Sequence, residues 1–567
     1  MNRIDPRWLA WLILATAGSV FCLGAVARLS GFEVWDDGLM FSRYAENVAR
    51  EGVVAWNPAT ELGEAQPSWG LTSLGHLVVV VVARTVLRPI GGDALSWAVV
   101  SSWLAGWVFL GLVLRAAWSH DPRSSVGAKL GTLTWTAAVL AMGFRSVGAH
   151  FGTGMDTMTA AAWLTFFLMM ARRLECLSGR KLVVLTAATA SLTFFVRPDA
   201  AVFPVFVLAA LAVGVRGSRR AWEALGGAAA LGGVLWLSAR AYFGTWLPLP
   251  SYVKSGGVGG TGHYGDAFAI HYEGVAVREL GLFALAFWPL ILVVALDVLS
   301  SPRRWWRQSQ LTDKGLAAAV VVFSAYHLTQ VAPIMGGDQR FFQPLLPCLL
   351  WLSWGSMNRW RDRLAARGVG PRGGRWHAGW ATGLALAAVL GLLSLGSALL
   401  EEGQRLGSTL DREPWPTLDL QVSYEQRASG YWPALEVVGR LPPETVIAAT
   451  EVGLPGALNP RKTIVDMAGL HDPRFALEGF SAERLFAGSD GPGTDVAPPP
   501  DVIYLPHPHY QPMLQELLRH PTLQARYRLW TAEALGTVLG VAVRRGSAAE
   551  EPLAEALASV TAARSRQ

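Results

Sequence analysis

Trp35-Asp36-Asp37-Gly38-Leu39-Met40-Phe41-Ser42-Arg43-Tyr44 follows soon after a first apolar run, Trp8 to Ala27. Adjacent carboxylates at the mouth of a membrane segment are costly unless they are solvated, paired or used. A cation and a hydroxyl, Arg43 and Tyr44, come within the next eight positions. The rest of the chain shows what surrounds this polar stretch.

The 567 residues are 52% hydrophobic and only 16% charged, with a mean hydropathy of +0.32. Soluble proteins carry about a quarter charged residues, so most of this chain belongs in lipid. Its 25 Trp and 11 Tyr suit the two membrane interfaces. The net charge of +6 is not a nucleic-acid signal, because the Arg residues gather in short loops between apolar runs and no nucleic-acid motif occurs. Cys22, Cys176 and Cys348 lie in or beside apolar runs, with neither metal spacing nor a disulfide framework, and read as core. The basic Met1–Arg7 precedes an apolar run with no convincing cleavage site, so an uncleaved first helix is expected rather than a signal peptide.

About 20 apolar residues cross a bilayer. After the first run, candidates are 69–88, 96–117, 128–144, 156–171, 182–196, 199–215, 221–239, 279–299, 315–334, 341–357 and 378–399. Several are short enough to be tilted, re-entrant or merged, which gives an expectation of about 10–13 spans. Basic clusters at Arg172-Arg173, Arg180-Lys181, Arg216–Arg220, Arg303–Arg307 and Arg359–Arg375 would be cytoplasmic. Loop 30–68, Arg197-Pro198-Asp199, loop 240–278 and Gly336-Gly337-Asp338-Gln339-Arg340 then face the other side. The basic loop 115–129 interrupts this alternation and leaves parity between 69 and 145 open. Residues 1–400 therefore form a membrane domain. Residues 401–567 carry no apolar span but many prolines and β-like runs at Thr445–Thr450 and Asp501–Leu505, with helical candidates at Tyr431-Gly439 and Pro512-His520. A small soluble α/β domain on the extracytoplasmic side is expected there.

The outer loops concentrate acid and base together: Asp36, Asp37, Arg43 and Tyr44, then Asp156, then Arg197 and Asp199, then Tyr252 and Lys254, then Asp338 and Arg340. Residues 36–50 can form a helix lying on the membrane, with Phe41, Tyr44, Ala45 and Val48 on one face. Each charge has a duller reading. An Arg or Lys near a helix end is usually a snorkelling anchor, and Asp199 could equally cap the following helix. His263 and His271 lack ligand spacing and read as loop residues. Convergence of four such loops on one face is harder to explain by structure alone. The inventory suits sugar transfer from a lipid phosphate, which needs a carboxylate for the acceptor hydroxyl proton and cations for the phosphate. No Gly-rich nucleotide-binding signature occurs, and this chemistry needs none.

Six motifs in order then resemble one family. Asp36-Asp37 with Arg43-Tyr44-Ala45-Glu46-Asn47 and Gly52–Pro58 comes first, followed by Gly154-Met155-Asp156-Thr157 and Phe195-Val196-Arg197-Pro198-Asp199. Tyr242-Phe243-Gly244 with Pro248–Lys254, Gly336-Gly337-Asp338 with Arg340-Phe341 and Pro344–Pro347, and Val465–Asp472 complete the set. Together they resemble bacterial GT-C glycosyltransferases close to the mycobacterial terminal arabinofuranosyltransferase of the cell wall. Gln66-Pro67-Ser68-Trp69, Asp156 and Ser251 depart from that family's pattern.

The resemblance implies a mostly α, polytopic GT-C fold in the bacterial inner membrane. It also implies an inverting transferase that moves a sugar from a polyprenyl-phosphate donor to a cell-envelope glycan or glycolipid. Asp36 is expected as the base and Asp37 as the group orienting hydroxyls. Arg197, Lys254 and Arg340 would clamp the phosphate, and Arg43, Tyr252, Asp156, Asp199 and Asp338 would contribute to donor binding. Some GT-C enzymes use a divalent metal, but two neighbouring acids make a poor site and none is expected. The alternative is a transporter or flippase of lipid-linked sugars, which would need charge buried within spans and internal repeats.

Overall fold

The computed structural model describes residues 35–59, 64–121, 124–177, 179–214, 219–254, 274–331, 337–366, 396, 441–487, 499–506, 510–532 and 539–564. The first apolar run, most of 378–399, His263, His271 and the helical candidate Tyr431-Gly439 lie outside the described residues.

The other apolar runs are helices. After α1 (Asp36–Glu51) come α2 (Leu74–Leu87), α3 (Ala94–Ser119), α4 (Val126–Met142), α5 (Thr157–Cys176), α6 (Arg180–Val196), α7 (Val202–Gly214) and α8 (Arg219–Phe243). The short α9 (Leu249–Lys254) precedes α10 (Val275–Ala286), α11 (Trp288–Ser300), α12 (Leu311–Thr329) and α13 (Leu345–Ala366). Ser73, Asp93 and Ser125 set the starts of α2, α3 and α4 by accepting the backbone N–H three residues on. Among the described residues, α3 and α8 are each long and apolar enough to cross a membrane alone. The run expected as one span over 279–299 is instead two helices meeting at 85°. Pro289 explains the break, because it has no N–H to give and its ring would meet the carbonyl of Leu285 in a continuous helix.

The helices pack around one apolar core that includes Phe109, Phe167, Phe203, Phe323 and Trp354. At one end of the bundle Arg359 of α13 is buried between Asp297 of α11 and Asp313 of α12, each at 2.8 Å. Arg359, expected in a cytoplasmic loop, is thus an internal tie. His327, near the other end of α12, lies 14 residues or about 20 Å away.

The five-stranded sheet has the order β2-β1-β3-β5-β4, formed by β1 (Val446–Ala449), β2 (Thr463–Asp466), β3 (Val502–Tyr504), β4 (Tyr527–Trp530) and β5 (Val541–Arg544). β2, β1 and β3 run parallel, and β5 is antiparallel to both β3 and β4. Both β-like runs of the sequence become strands, and the helical candidate at 512–520 becomes Gln511–Arg519. Strand side chains alternate between faces. Val446, Ala448, Val465 and Ile503 pack under the domain's own helices. Ile447, Ala449, Ile464 and Val502 join the cluster that holds α1. As a result α1 does not simply lie on a membrane surface. Leu39, Phe41 and Tyr44 are buried between α2 and α3 on one side and the C-terminal domain on the other.

Candidate active site

A cavity of about 680 Å³ opens where these polar loops meet. It receives Asp37 from the first turn of α1, Asp156 from the turn before α5, and Arg197 and Asp199 from between α6 and α7. Lys254, Arg340 and His327 also line it. Local backbone explains part of this convergence. Gly38 sits so close to the 153–154 turn that a Cβ would lie 2.5 Å from the Thr153 carbonyl, and Gly154 has φ +75°, a conformation that favours glycine. The start of α1 therefore rests directly on the turn that carries Asp156.

On one wall, Arg340 Nη1 donates to Asp37 Oδ2 at 2.9 Å. Burial would raise the pKa of Asp37, but the charges of Lys254 and Arg340 and the bond from Arg340 outweigh it and hold the carboxyl below its usual range. Burial lowers the pKa of Lys254, with Asp37 opposing. Lys254 makes no ion pair among the described residues, and Arg340 Nε is buried without a hydrogen-bond partner. Gln339, directly before Arg340, has φ +58°, and its N–H donates to Glu279 Oε2 at 3.1 Å. That left-handed turn aims Arg340, and Glu279 holds it.

On the other wall, Arg197 Nε donates to Asp199 at 3.0 and 3.2 Å, and Arg197 Nη1 lies 3.9 Å from Asp156. Asp199 also accepts from His327 Nε2 at 3.0 Å. Burial would raise the Asp199 pKa, but Arg197 and His327 hold it well below the ordinary carboxylate range. Asp199 is thus committed to its neighbours and is not a simple helix cap. The Phe341 ring joins the two walls, with the Arg197 and Arg340 guanidinium carbons 5.9 and 5.1 Å from its centroid.

Three of the residues expected to act at the site are placed differently. Asp36 is buried outside the cavity lining, and its two oxygens accept the N–H groups of Gly453 at 2.9 Å and Leu454 at 2.7 Å. Burial pushes its pKa up to about 6 despite those two bonds. Of the Asp36-Asp37 pair, the first ties α1 to the C-terminal domain and the second faces the cavity. Arg43 is fully buried and donates to the carbonyls of Trp56, Gly456, Asn459 and Lys462 and to Asn57 Oδ1. It is a tie between α1 and that domain rather than a donor-binding group. The Tyr252 hydroxyl accepts the Trp246 N–H at 3.2 Å and lies off the cavity lining. The side chain of Asp338 lies outside the described residues.

The motif at 465–472 also has a physical role. The Asp466 carboxylate accepts from the N–H groups of Ala468 and His471, which fixes the turn that brings Leu470 to the cavity. His471 stacks on Trp56 at 4.0 Å and meets the Tyr44 hydroxyl at 3.2 Å. Burial pushes its pKa down to about 3. His327, Glu279, Gln339 and His76, which holds the Gly154 carbonyl at 3.0 Å, carry no charge-cluster signal in the sequence and were missed there.

No family model matches the chain, and no curated protein matches it in sequence. Among solved structures it is similar to ArnT from Cupriavidus metallidurans bound to undecaprenyl phosphate, with TM-score 0.52 and 15% identity, covering 96% of this chain and 99% of that one. The apo state of the same ArnT matches with TM-score 0.50 and 17% identity, over 94% and 97%. The likeness runs nearly the full length of both chains and shows a shared fold. This is the mostly α, polytopic GT-C fold with a small C-terminal sheet.

Proposed function

We propose that the chain is an inverting membrane glycosyltransferase that uses a polyprenyl-phosphate sugar, and that Asp37 rather than Asp36 is the carboxylate at the reacting centre. One observation carries this reading: Asp37, Arg340 and Lys254 share one wall of the cavity in a fold like that of an undecaprenyl-phosphate-binding protein. The acceptor hydroxyl oxygen forms a bond to the anomeric carbon as the bond from that carbon to the phosphate oxygen breaks. The hydroxyl proton goes to Asp37, and the electron pair leaves with the lipid phosphate. Lys254 and Arg340 bind the growing phosphate charge. As the phosphate draws on Arg340, its hold on Asp37 loosens and the carboxylate becomes the stronger base.

The finer reading comes from the six sequence motifs. It is an arabinofuranose-like sugar or another pentose or hexose, a cell-envelope glycan or glycolipid acceptor, and a bacterial inner-membrane protein whose cavity and C-terminal domain face the extracytoplasmic side. The test is transfer by purified protein in detergent, with a panel of radiolabelled polyprenyl-phosphate sugars and acceptor glycans. Sugar should reach the acceptor with loss of wild-type activity on Asp37→Asn. Lipid-linked sugar that crosses vesicles without being consumed would replace this reading by transport.

A further inference from the structure

The phosphate chemistry leaves the wall of Arg197, Asp199 and His327 unused. His327 is 2% exposed and lines the cavity. Its Nε2 faces Asp199, and a carboxylate only accepts, so Nε2 carries a proton and donates, which leaves Nδ1 as the ring's other polar atom. That Nδ1 and Arg197 Nη1 are both buried with no hydrogen-bond partner among the described residues. Buried polar atoms normally have partners, so two orphans on one cavity wall call for a ligand that supplies them. The His327 ring cannot easily turn away, being packed at 4.4 Å from Phe323, 5.5 Å from Tyr326 and 5.9 Å from Phe341.

Charge separates the walls. Asp156, Arg197 and Asp199 together carry one net negative charge, whereas Asp37, Lys254 and Arg340 carry one net positive charge. A phosphate therefore belongs on the second wall. The first offers an Arg197 N–H beside the second ring nitrogen of His327, with the rings of Tyr326 and Phe341 also lining the cavity. That pattern fits a neutral, hydroxyl-bearing ring, because each hydroxyl both gives and takes a hydrogen bond. We propose that Arg197, Asp199 and His327 form the sugar subsite, in which Arg197 Nη1 donates to one hydroxyl and His327 Nδ1 accepts from another, making His327 a residue that determines which sugar is taken. Asp199 is a positioning residue that orients both. The proposal rests on the glycosyltransferase reading above.

The experiment compares binding of sugar-free undecaprenyl phosphate with undecaprenyl-phosphate arabinofuranose and mannose to the full chain in detergent. His327→Gln keeps a donor for Asp199 and loses the acceptor at the Nδ1 position; His327→Asn does the reverse. Wild type should bind one sugar-linked lipid more tightly than the sugar-free one. His327→Gln should lose about tenfold for that lipid, the worth of one hydrogen bond, with sugar-free binding within about twofold. His327→Asn should keep more of the sugar preference than His327→Gln, and Lys254→Ala should weaken all three lipids. Equal loss for all lipids in His327→Gln, or no preference for either sugar in wild type, would overturn the subsite and leave the lipid-phosphate reading intact. Wild type that binds none of the lipids would overturn both.

Discussion

Asp37 Oδ2 accepts a hydrogen bond from Arg340 Nη1 at 2.9 Å across 303 residues of sequence, while Asp36, its immediate neighbour, turns both oxygens to the C-terminal domain. Successive residues of a helix point about 100° apart, so an adjacent pair can be divided between two jobs. The division predicts opposite phenotypes. Asp37→Asn should lower turnover by about 10²–10⁴, the range for loss of a positioned general base, with little change in melting temperature. Asp36→Asn should mainly destabilise, since its amide NH₂ would confront a backbone N–H, at a cost of about 1–3 kcal/mol. Turnover and thermal unfolding of both variants decide it. Full activity in Asp37→Asn with none in a folded Asp36→Asn would return the chemistry to Asp36.

Arg43 gives a second test of the same junction. Its guanidinium serves four carbonyls and the Asn57 side chain, and its central carbon lies 4.7 Å from the Trp56 ring centroid. Lys carries one compact ammonium with three donors and cannot serve that fork. Arg43→Lys should therefore cost on the order of 3 kcal/mol and expose the C-terminal domain to limited proteolysis. A variant with wild-type melting temperature and digestion pattern would show that the junction does not depend on this fork.

The sequence carried the helices because apolar runs long enough to cross lipid are hard to hide, and ten of the expected runs coincide with described helices or a broken pair. It carried the convergence of Asp37, Asp156, Arg197, Asp199, Lys254 and Arg340 because charge beside an apolar run is rare enough to stand out. Roles were less legible. Arg43 and Arg340 look alike in the sequence, and only the three-dimensional surroundings separate a guanidinium spent on carbonyls from one facing a cavity. His327 emitted no signal, because its partner Asp199 is 128 residues away. The contribution of residues 453–471 to the site was also hidden, since it depends on how the sheet domain seats on α1.

Gly453 is the close point of that seating. A Cβ there would lie 2.0 Å from the Asp36 carbonyl oxygen, a backbone atom that cannot move without shifting α1. Gly453→Ala should therefore lower the melting temperature and cut activity together. Because it disturbs the same contact as Asp36→Asn, the double variant should be much less destabilised than the sum of the two singles. Additive effects in the thermal-unfolding cycle would show that the two residues act at separate places.

The same junction should make stability depend on pH in an unusual direction. Burial pushes Asp36 up to about 6, Asp466 up to about 7 and Glu451 up to about 8, the last helped by the charges of Asp36, Asp37 and Asp466. For a carboxyl whose folded pKa lies above its unfolded value, the folded state holds more protons between the two values. Its contribution therefore falls as pH rises through that window and is flat beyond it. For these three groups the window runs from the ordinary carboxylate range near 4 up to about 8. Asp37 and Asp199, held low by their cations, act oppositely but only as pH falls below about 4. Melting temperature should thus decline between about pH 6.5 and pH 8, because below that range His471, held down to about 3 by burial, contributes in the opposite direction. Glu451→Gln, which keeps the shape without the ionisable proton, should flatten the upper part of that decline. Its melting temperature should equal wild type near pH 5 and exceed it at pH 8 and above. Parallel wild-type and variant curves across this range would mean that Glu451 does not titrate within the fold, and that its carboxyl is not pressed against the acids of α1.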